Sequence, residues 1–389
     1  MSTERNHRLG RYVVTRSGSE EVRAYLPPPL PPNPPIHLDG LQVLLEQANQ
    51  AIGRLDGLAR VLPNLALFIY AYVRKEAVLS SQIEGTQSSF SDLVLFENHQ
   101  TPGVPLNDVQ EVSNYVAALQ HGLARLRDGF PLSLRLIREI HGVLLEKGRG
   151  SEEDPGEFRR SQNWIGGTRP GNALYVPPPP AEVVDCMAAL EAFLHEERPD
   201  LPVLIKAGLV HVQFESIHPF LDGNGRLGRL LVTFLLCAAG ALQEPILYLS
   251  LHLKQHRATY YELLTRVRTE GVWEQWLEFF LSGIKQTADQ AIAAARRLLD
   301  LIEQDRKAIE DAGAPASVLR VFQLLQVRPI LNVTIAAQEL GLSFPTANSA
   351  LESLQSLQIV HETTGRERNR LYAYQAYIAI LNEGTERGA

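Results

Sequence analysis

The chain has 389 residues, 45% hydrophobic and 21% charged, enough for two or three domains with apolar cores. A formal charge of −7 supplies no global attraction toward nucleic acid or acidic membranes. Cys186 and Cys237 form no C-x-x-C pair, which argues against a disulfide framework and for a reducing cytoplasm. The opening MSTERNHRLG lacks the apolar centre of a signal peptide. The longest apolar run, LLVTFLLCAAGAL, falls short of the ~20 residues that cross a bilayer. A soluble cytoplasmic protein with no membrane partner is expected.

In chain order, residues 1–40 read as an extended, proline-rich lead-in. LPPPLPPNPPI at 26–36 cannot be helix, because proline lacks the N–H and clashes with the preceding turn. A strap packed on the domain is favoured there over an SH3-type ligand. Leu41, Leu44, Leu45, Ala48, Ile52, Leu55 and Leu58 recur at helical spacing and open an N-terminal helical region, 41–130. A second helix is expected from about Asn64 through SSQIEG, where Gly85 is a natural stop. Others follow at 109–126 and 134–145, the latter capped by Ser133.

Residues 150–180 break the pattern. QNWIGGTRPGNALYVPPPP pairs two short β-like runs, 163–165 and 174–176, across a Gly/Pro-rich turn, as a surface hairpin would. Helical periodicity returns at 181–194, 203–214, 227–239, 250–267 and 272–309. DAGAPAS, at 311–317, is a composition shift that reads as a domain boundary. Beyond it, at 315–380, a helix precedes a compact helix pair. Thr334 is read as the cap of the first helix of the pair, Gly341 breaks it, and the second starts at Pro345. IVHETTGRERNRLYAY then alternates around a charged turn, completing a winged-helix module. This layout predicts that the module is dispensable for chemistry placed upstream. The fold class expected is all-α, a helical core with one β-hairpin flap followed by a small winged-helix domain.

HPFLDGNGRLGR, at 218–229, contains a literal G-x-G-x-x-G at Gly223, Gly225 and Gly228. A dinucleotide-binding turn needs a strand leading into the glycines within repeating βαβ units. Glu244 stands where a ribose-binding acid belongs, but Pro219 and Asp222 interrupt the approach and no alternating β/α pattern surrounds it. No G-x-x-x-x-G-K-(S/T) is present either. The stretch offers other chemistry. His218 can take a proton near neutral pH, and Asp222 is a hard oxygen ligand suited to Mg²⁺. Gly223 and Gly225 let backbone N–H groups approach an anion, and Asn224 can add a side-chain donor. The loop opens into a helix near Arg226, whose N-terminus favours negative charge, and Arg226 and Arg229 share one face. Together these describe a polyphosphate site.

His218, Phe220, Asp222, Gly223, Asn224, Gly225, Arg226 and Arg229 fit H-x-F-x-(D/E)-G-N-G-R-x-x-R, and the sequence here resembles the Fic-domain family. FRRSQNWIGG looks like that family's flap entry, and the proline lead-in and C-terminal winged helix have counterparts in its members. The resemblance implies a helical protein adenylyltransferase that moves AMP from ATP, with Mg²⁺, to a Ser, Thr or Tyr hydroxyl of an unidentified target protein, or of itself. His218 would be the base and Asp222 the metal ligand. ATP would lie along Asp222, Gly223, Asn224, Gly225, Arg226, Leu227, Gly228 and Arg229, beside Tyr260 and Tyr261 of HRATYY. Arg226 and Arg229 would grip the β- and γ-phosphates. The flap Ile165, Gly166, Gly167 and Thr168 would align the target, and Phe220 would anchor the loop.

SSQIEG matches the family's inhibitory (S/T)-x-x-x-E-(G/N), with Ser80 and Glu84 one helical turn apart. The resemblance implies that Glu84 pairs with Arg229 and blocks the γ-phosphate. Transfer of UMP or phosphocholine on the same fold is an alternative, as is a DNA-binding regulator using the fold as a nucleotide sensor. Phosphoryl transfer is disfavoured, since the related Doc kinases carry Lys where Gly225 stands. His252 and His256 have the i, i+4 spacing of a zinc pair but no intervening Glu, and His141 and His211 read as core or rim histidines. GRERNR makes DNA a second candidate partner through the wing, and pairing into a homodimer stays open.

Overall fold

A computed structural model describes residues 8–18, 20–61, 65–97, 104–198, 200–365 and 370–385. The chain opens with an antiparallel hairpin absent from the sequence expectation, β1 (Arg11–Ser17) and β2 (Glu20–Leu26), with Arg11 opposite Leu26 and Ser17 opposite Glu20. Alternation in β2 buries Val22 and Ala24 against Val176 and leaves Glu21 and Arg23 exposed. The proline strap follows without regular structure. Leu30, Ile36 and Leu38 pack on the core, and Gln213 donates to the Pro28 carbonyl at 2.8 Å.

Helix α1 (Gln42–Val61) uses Ala48, Ala51, Ile52 and Leu55 as its buried stripe. Then come α2 (Leu65–Ile83), the unforeseen short α3 (Phe90–Glu97), and α4 (Leu106–Arg127). Asn64, the expected start of α2, lies outside the described residues. Helix α5 (Leu134–Leu144) is capped by Ser133, whose side chain accepts from the Leu136 N–H, as expected. Helix α6 (Pro180–His195) begins on a proline, and α7 (Val203–Ile217) is buried at every position from Ala207 to Ile217. A helix apolar on all sides belongs at the centre of a bundle, and α7 packs against α8 (Asn224–Ala238) there. The single helix expected at 250–267 is two, α9 (Ser250–Gln255) and α10 (Arg257–Glu270), because His256 leaves helical geometry between them. Helix α11 (Trp273–Asp311) spans the molecule and packs along α1 and α7.

Beyond the turn at 312–315 lie α12 (Ala316–Val327), β3 (Ile330–Asn332), α13 (Val333–Leu340) and α14 (Phe344–Ser356). The chain continues through β4 (His361–Glu362), β5 (Leu371–Ala373) and α15 (Gln375–Asn382), with strand order β3-β5-β4. The cap of α13 is Asn332, which accepts from the Ile335 N–H at 2.7 Å; Thr334 lies inside the helix. Leaving β3, the Asn332 side chain reaches the first turn before Thr334 can. Of the wing arginines, Arg366 and Arg368 lie outside the described residues, while Arg370 contacts Asn348 and Glu352 of α14.

This unit shares one continuous apolar core with the upstream helices. Helix α12 packs on α2, α15 on α2, α3 and α11, and the Tyr374 hydroxyl donates to Asp305 of α11 at 2.5 Å. Among the described residues no helix is long and apolar enough to cross a membrane.

A close approach of α7 to α11 depends on Gly208. Its carbonyl accepts from Trp276 Nε1 at 2.8 Å, and a Cβ there would lie 2.8 Å from Leu277 Cδ2 and 3.1 Å from Phe280 Cδ1. We expect Gly208→Val to lower the unfolding free energy by about 1–3 kcal/mol through overpacking. Urea denaturation checks this; an unchanged midpoint would mean that α7 and α11 do not meet so closely.

Candidate active site

The candidate site is the turn between α7 and α8. Helix α7 is closed by His218, left-handed at φ 49°, which sends its N–H back to the Phe214 carbonyl at 2.9 Å. A non-glycine residue in this region stores strain, so surrounding bonds must hold it. Arg159 supplies several of them: its N–H donates to the Pro219 carbonyl at 2.9 Å, Nε to the His218 carbonyl at 2.8 Å, and Nη2 to the Pro178 carbonyl at 2.5 Å. Asn163 Nδ2 reaches the Phe220 and Leu221 carbonyls at 3.2 and 3.1 Å.

Phe220 is fully buried and stacks on His141, with ring centroids 3.7 Å apart. The Gly156 N–H donates to His141 Nδ1 at 2.8 Å, so the ring proton sits on Nε2 and is given to the Asp222 carbonyl at 3.0 Å. Burial, with Arg226 adding to it, pushes His141 down to about 4 and keeps it neutral. It is therefore a fastener of the loop rather than only a core histidine. Asn224, expected to offer its side chain to an anion, spends it on the loop. Its Oδ1 accepts from the Phe220 N–H and its Nδ2 donates to the Phe220 carbonyl, both at 2.9 Å.

Gly223 is left-handed at φ 76° and caps α8, and its N–H meets Asp222 Oδ1 at 2.6 Å. Asp222 Oδ2 lies 3.6 Å from Arg226 and 4.0 Å from Arg149, accepting no hydrogen bond from the described residues. Leu227 is buried in the core, and a Cβ on Gly228 would lie 2.6 Å from Glu215 Oε1, so these two positions face away from the loop's open side.

The two arginines do not converge as their spacing suggested. Arg226, 1% exposed, pairs with Glu111 of α4 at 3.1 Å; among the described residues its Nε and Nη2 have no hydrogen-bond partner, with Asp222 Oδ2 at 3.6 Å from Nη2. Arg229 turns to α2: Nε donates to Ser80 Oγ at 2.7 Å, and Nη2 to the Ser80 carbonyl at 3.0 Å and Glu84 Oε1 at 2.6 Å. Buried guanidinium groups need partners, and each found one on a different N-terminal helix. The Glu84 carboxylate lies over the first turn of α8, where a Cβ on Gly225 would come within 2.2 Å of Oε1. A side chain at 225 would exclude it. Burial raises the Glu84 carboxyl, but Arg229, with help from Arg226 and His218, outweighs burial and holds it below the usual range.

His218 Nδ1 is buried without a hydrogen-bond partner. Burial, then repulsion by Arg159 and Arg268, lowers His218 to about 4 against the opposing pull of Glu84. Its imidazole is thus neutral near pH 7, with its proton-accepting nitrogen unprotonated.

The flap is slighter than the expected hairpin. Ile165 and Tyr175 form one antiparallel bridge, at 2.8 and 3.1 Å, followed by left-handed Gly166 and Gly167. Thr168 ties back through its N–H to Asn172 Oδ1 at 3.0 Å, in a short 3₁₀ turn at Pro170–Asn172. The N-terminal hairpin braces it: the Tyr25 N–H donates to the Val176 carbonyl at 2.9 Å and Glu20 pairs with Arg169.

The expected tyrosine pair separates. Tyr260 is fully buried, its hydroxyl 2.9 Å from His211 Nε2, while His211 Nδ1 donates to the Gly228 carbonyl at 3.0 Å. Tyr260 braces α7, α8 and α10, and a nucleotide could reach it only by displacing that packing. Tyr261 is 40% exposed, and burial together with the Glu84 charge raises its phenol. His252 bonds to Gln286 at 2.9 Å, and no metal-ligand cluster of three or more His, Cys, Asp or Glu occurs among the described residues. Glu111 and Arg268 belong to the site but carried no signal in the sequence, since their partners are distant in the chain, and the flap-entry stretch at 158–167 did not single out Arg159 and Asn163 as fasteners of the loop.

The architecture is that of the Fic fold. A Fic family protein from Desulfovibrio desulfuricans G20 superposes with a TM-score of 0.57 at 20% identity, covering 88% of this chain and 97% of that one. Fic-1 from C. elegans gives 0.52 at 21% identity, over 66% and 74%. In sequence, residues 42–124 match the Fic/DOC family N-terminal region and residues 131–236 the Fic/DOC family. Over these residues the chain is similar to the Fic/DOC family. It is 32% identical over 221 residues to the protein adenylyltransferase Fic of Aedes aegypti and 31% identical to that of Culex quinquefasciatus. The aligned part is 56% of this chain, which spans 41% of the length of each of these relatives.

His141 generates a test of the loop's fastening. Its unfolded value near 6.5 falls to about 4 on folding, so the stability it contributes is complete above pH 6.5 and is lost as pH falls toward 4. The advantage of wild type over His141→Phe should be largest at pH 7. It should shrink by up to about 1.4 kcal/mol per pH unit below 6.5. Urea unfolding at pH 7.0 and 5.0 measures it, and a pH-independent gap would show that the imidazole does not stay neutral.

Proposed function

We propose that this protein transfers AMP from ATP to a hydroxyl of a protein, itself included, and that Glu84 holds it inactive. The observation carrying this reading is the Glu84–Arg229 pair at 2.6 Å, seated on the first turn of α8 within reach of the base candidate His218. In transfer, neutral His218 takes the proton of the target hydroxyl, and the hydroxyl oxygen bonds to the α-phosphorus. The bond from that phosphorus to the β-bridging oxygen breaks, and pyrophosphate leaves. The amides at the start of α8 and the two unpaired donors of Arg226 suit the charge on the phosphates.

Asp222 fits magnesium: it is a hard carboxylate, its side chain 34% exposed, with one oxygen free of hydrogen bonds from the described residues. When bound with ATP, the ion would neutralise charge on the phosphates. The flap at 165–168 would hold the target segment beside His218. The names of the matched relatives support AMP as the group moved.

Incubation with ATP labelled at the α- or γ-phosphate tests the reaction. Label from the α position alone supports AMP transfer, label from γ would mean phosphoryl transfer, and neither would favour a nucleotide sensor. Glu84→Gly should raise automodification about 10- to 100-fold, since a bias of ~2.7 kcal/mol keeps some 99% of molecules closed. His218→Ala in that background should remove at least about 99% of the label, the range a lost general base covers. Arg229→Ala also breaks the pair yet should not activate, because the phosphate ligand goes with it. Equal labelling of wild type and Glu84→Gly would exclude inhibition by Glu84.

A further inference from the structure

The inhibitory helix ends against a part of the chain some 300 residues away. Gln82 stands between Ser80 and Glu84, and its Nε2 uses both hydrogens. One goes to the Ser88 carbonyl at 2.7 Å and the other to the Thr385 carbonyl at 2.9 Å. Thr385 is fully buried, and its N–H and hydroxyl both return to the Asn382 carbonyl, at 2.7 and 2.8 Å. Asn382, the last residue of α15, donates to Ser91 Oγ at 2.8 Å in α3. Glu383 pairs with Arg297 of α11, and the Gly384 carbonyl accepts from Lys254 Nζ at 3.2 Å. Gly384 is left-handed at φ 80°, and a Cβ there would lie 2.5 Å from Leu251 Cδ1. The tail is thus a fitted turn seated between α2, α3, α9 and α11.

We propose that this tail is a latch on the inhibitory helix, through which the winged-helix unit sets the activity of the site. The inference rests on the reading that Glu84 inhibits. A swing of the end of α2 that carries Glu84 away from Arg229 also carries Gln82 away from Thr385. Bonds that the tail makes only in this arrangement therefore favour the closed state. The tail is continuous with α15, whose Tyr377, Ile378 and Leu381 are buried and whose Tyr377 hydroxyl donates to the Gln326 carbonyl of α12 at 3.2 Å. A ligand that displaces α15 would release α2, and by linkage opening of α2 would change that ligand's affinity by the same factor.

The full-length chain carrying Gly384→Val tests the latch, because valine is excluded both by the backbone conformation and by Leu251. Asn382→Ala, which removes the Ser91 contact and the longer 3.4 Å bond that Asn382 Oδ1 accepts from the Thr385 hydroxyl, is a milder second variant. Melting curves establish that each is folded. Automodification with α-labelled ATP should rise about three- to tenfold, the shift expected from losing one or two buried hydrogen bonds in a two-state balance. Hydrogen exchange at the amides of Glu84, Gly85 and Thr86 should quicken, and Gly384→Val added to Glu84→Gly should give no further rise. Wild-type exchange at these amides in both variants would overturn the latch, whatever the labelling. If Glu84→Gly fails to activate while exchange quickens, the latch stands as a mechanical link and the inhibitory reading falls.

Discussion

Everything at this site turns on where a buried arginine finds its counter-charge. Arg229, 3% exposed, cannot be left unpaired without a penalty of several kcal/mol. It sits on the helix that follows the candidate phosphate loop, so on the proposed function its partner decides whether that loop is open or shut. Ser80 orients the guanidinium from two sides and Glu84 completes the pair, so the last turn of α2 behaves as a ligand of the site. The arrangement needs α2 close to α8, which α4 secures. Tyr115 of α4 is fully buried with its hydroxyl 3.3 Å from Glu76 of α2, and Glu111 of the same helix holds Arg226. The N-terminal helices thus supply the counter-ions of the catalytic turn as well as packing on it.

The loop itself is held by residues that never touch its open side. Arg159, His141 and Asn163 bind its carbonyls, and Asn224 closes it on Phe220. Spending side chains on carbonyls leaves the N–H groups at the start of α8 directed outward, the polarity an anion requires. The left-handed His218 is the result of this fastening. Its backbone is fixed by Arg159, and Arg159 and Arg268 disfavour charge on its ring while Glu84 favours it.

Much of this was legible in sequence because short-range rules governed it. Helical periodicity gave α1, α2, α4 to α8 and α11. Ser133 and the glycines after α2 and α13 marked ends by their conformational chemistry. The loop's chemical character was written in twelve consecutive residues. What stayed hidden depended on tertiary partners. The hairpin β1–β2 is strand because Val22 and Ala24 find Val176, while its charged residues obscure any periodicity. Tyr260 reads like a nucleotide contact until His211 is seen against its hydroxyl. The shared face of Arg226 and Arg229 was correct as geometry, yet it did not foretell that Glu111 and Glu84 would draw them apart. No spacing rule joins Gln82 to Thr385.

Two carboxylates compete around Arg229, and their environments separate them. Glu215 is buried on α7 with Oε1 unpartnered; burial raises it to about 7, with Arg229 opposing and Glu84 adding to the rise. Glu84 has the direct bond and is held below the usual carboxylate range, whereas Glu215 titrates close to neutral pH, so the closed site carries one full negative charge against Arg229 and a second that is only partial near pH 7. Arg226 adds a further cation with two buried donors unsatisfied, each costing roughly 1–3 kcal/mol while unmet. The closed arrangement is therefore well paired at Arg229 and poorly paired at Arg226. A polyanion lying along the start of α8 could satisfy Arg226 at once but must take Arg229 from Glu84. On the proposed function, that asymmetry would let a nucleotide enter the closed site by one end while the other remains barred.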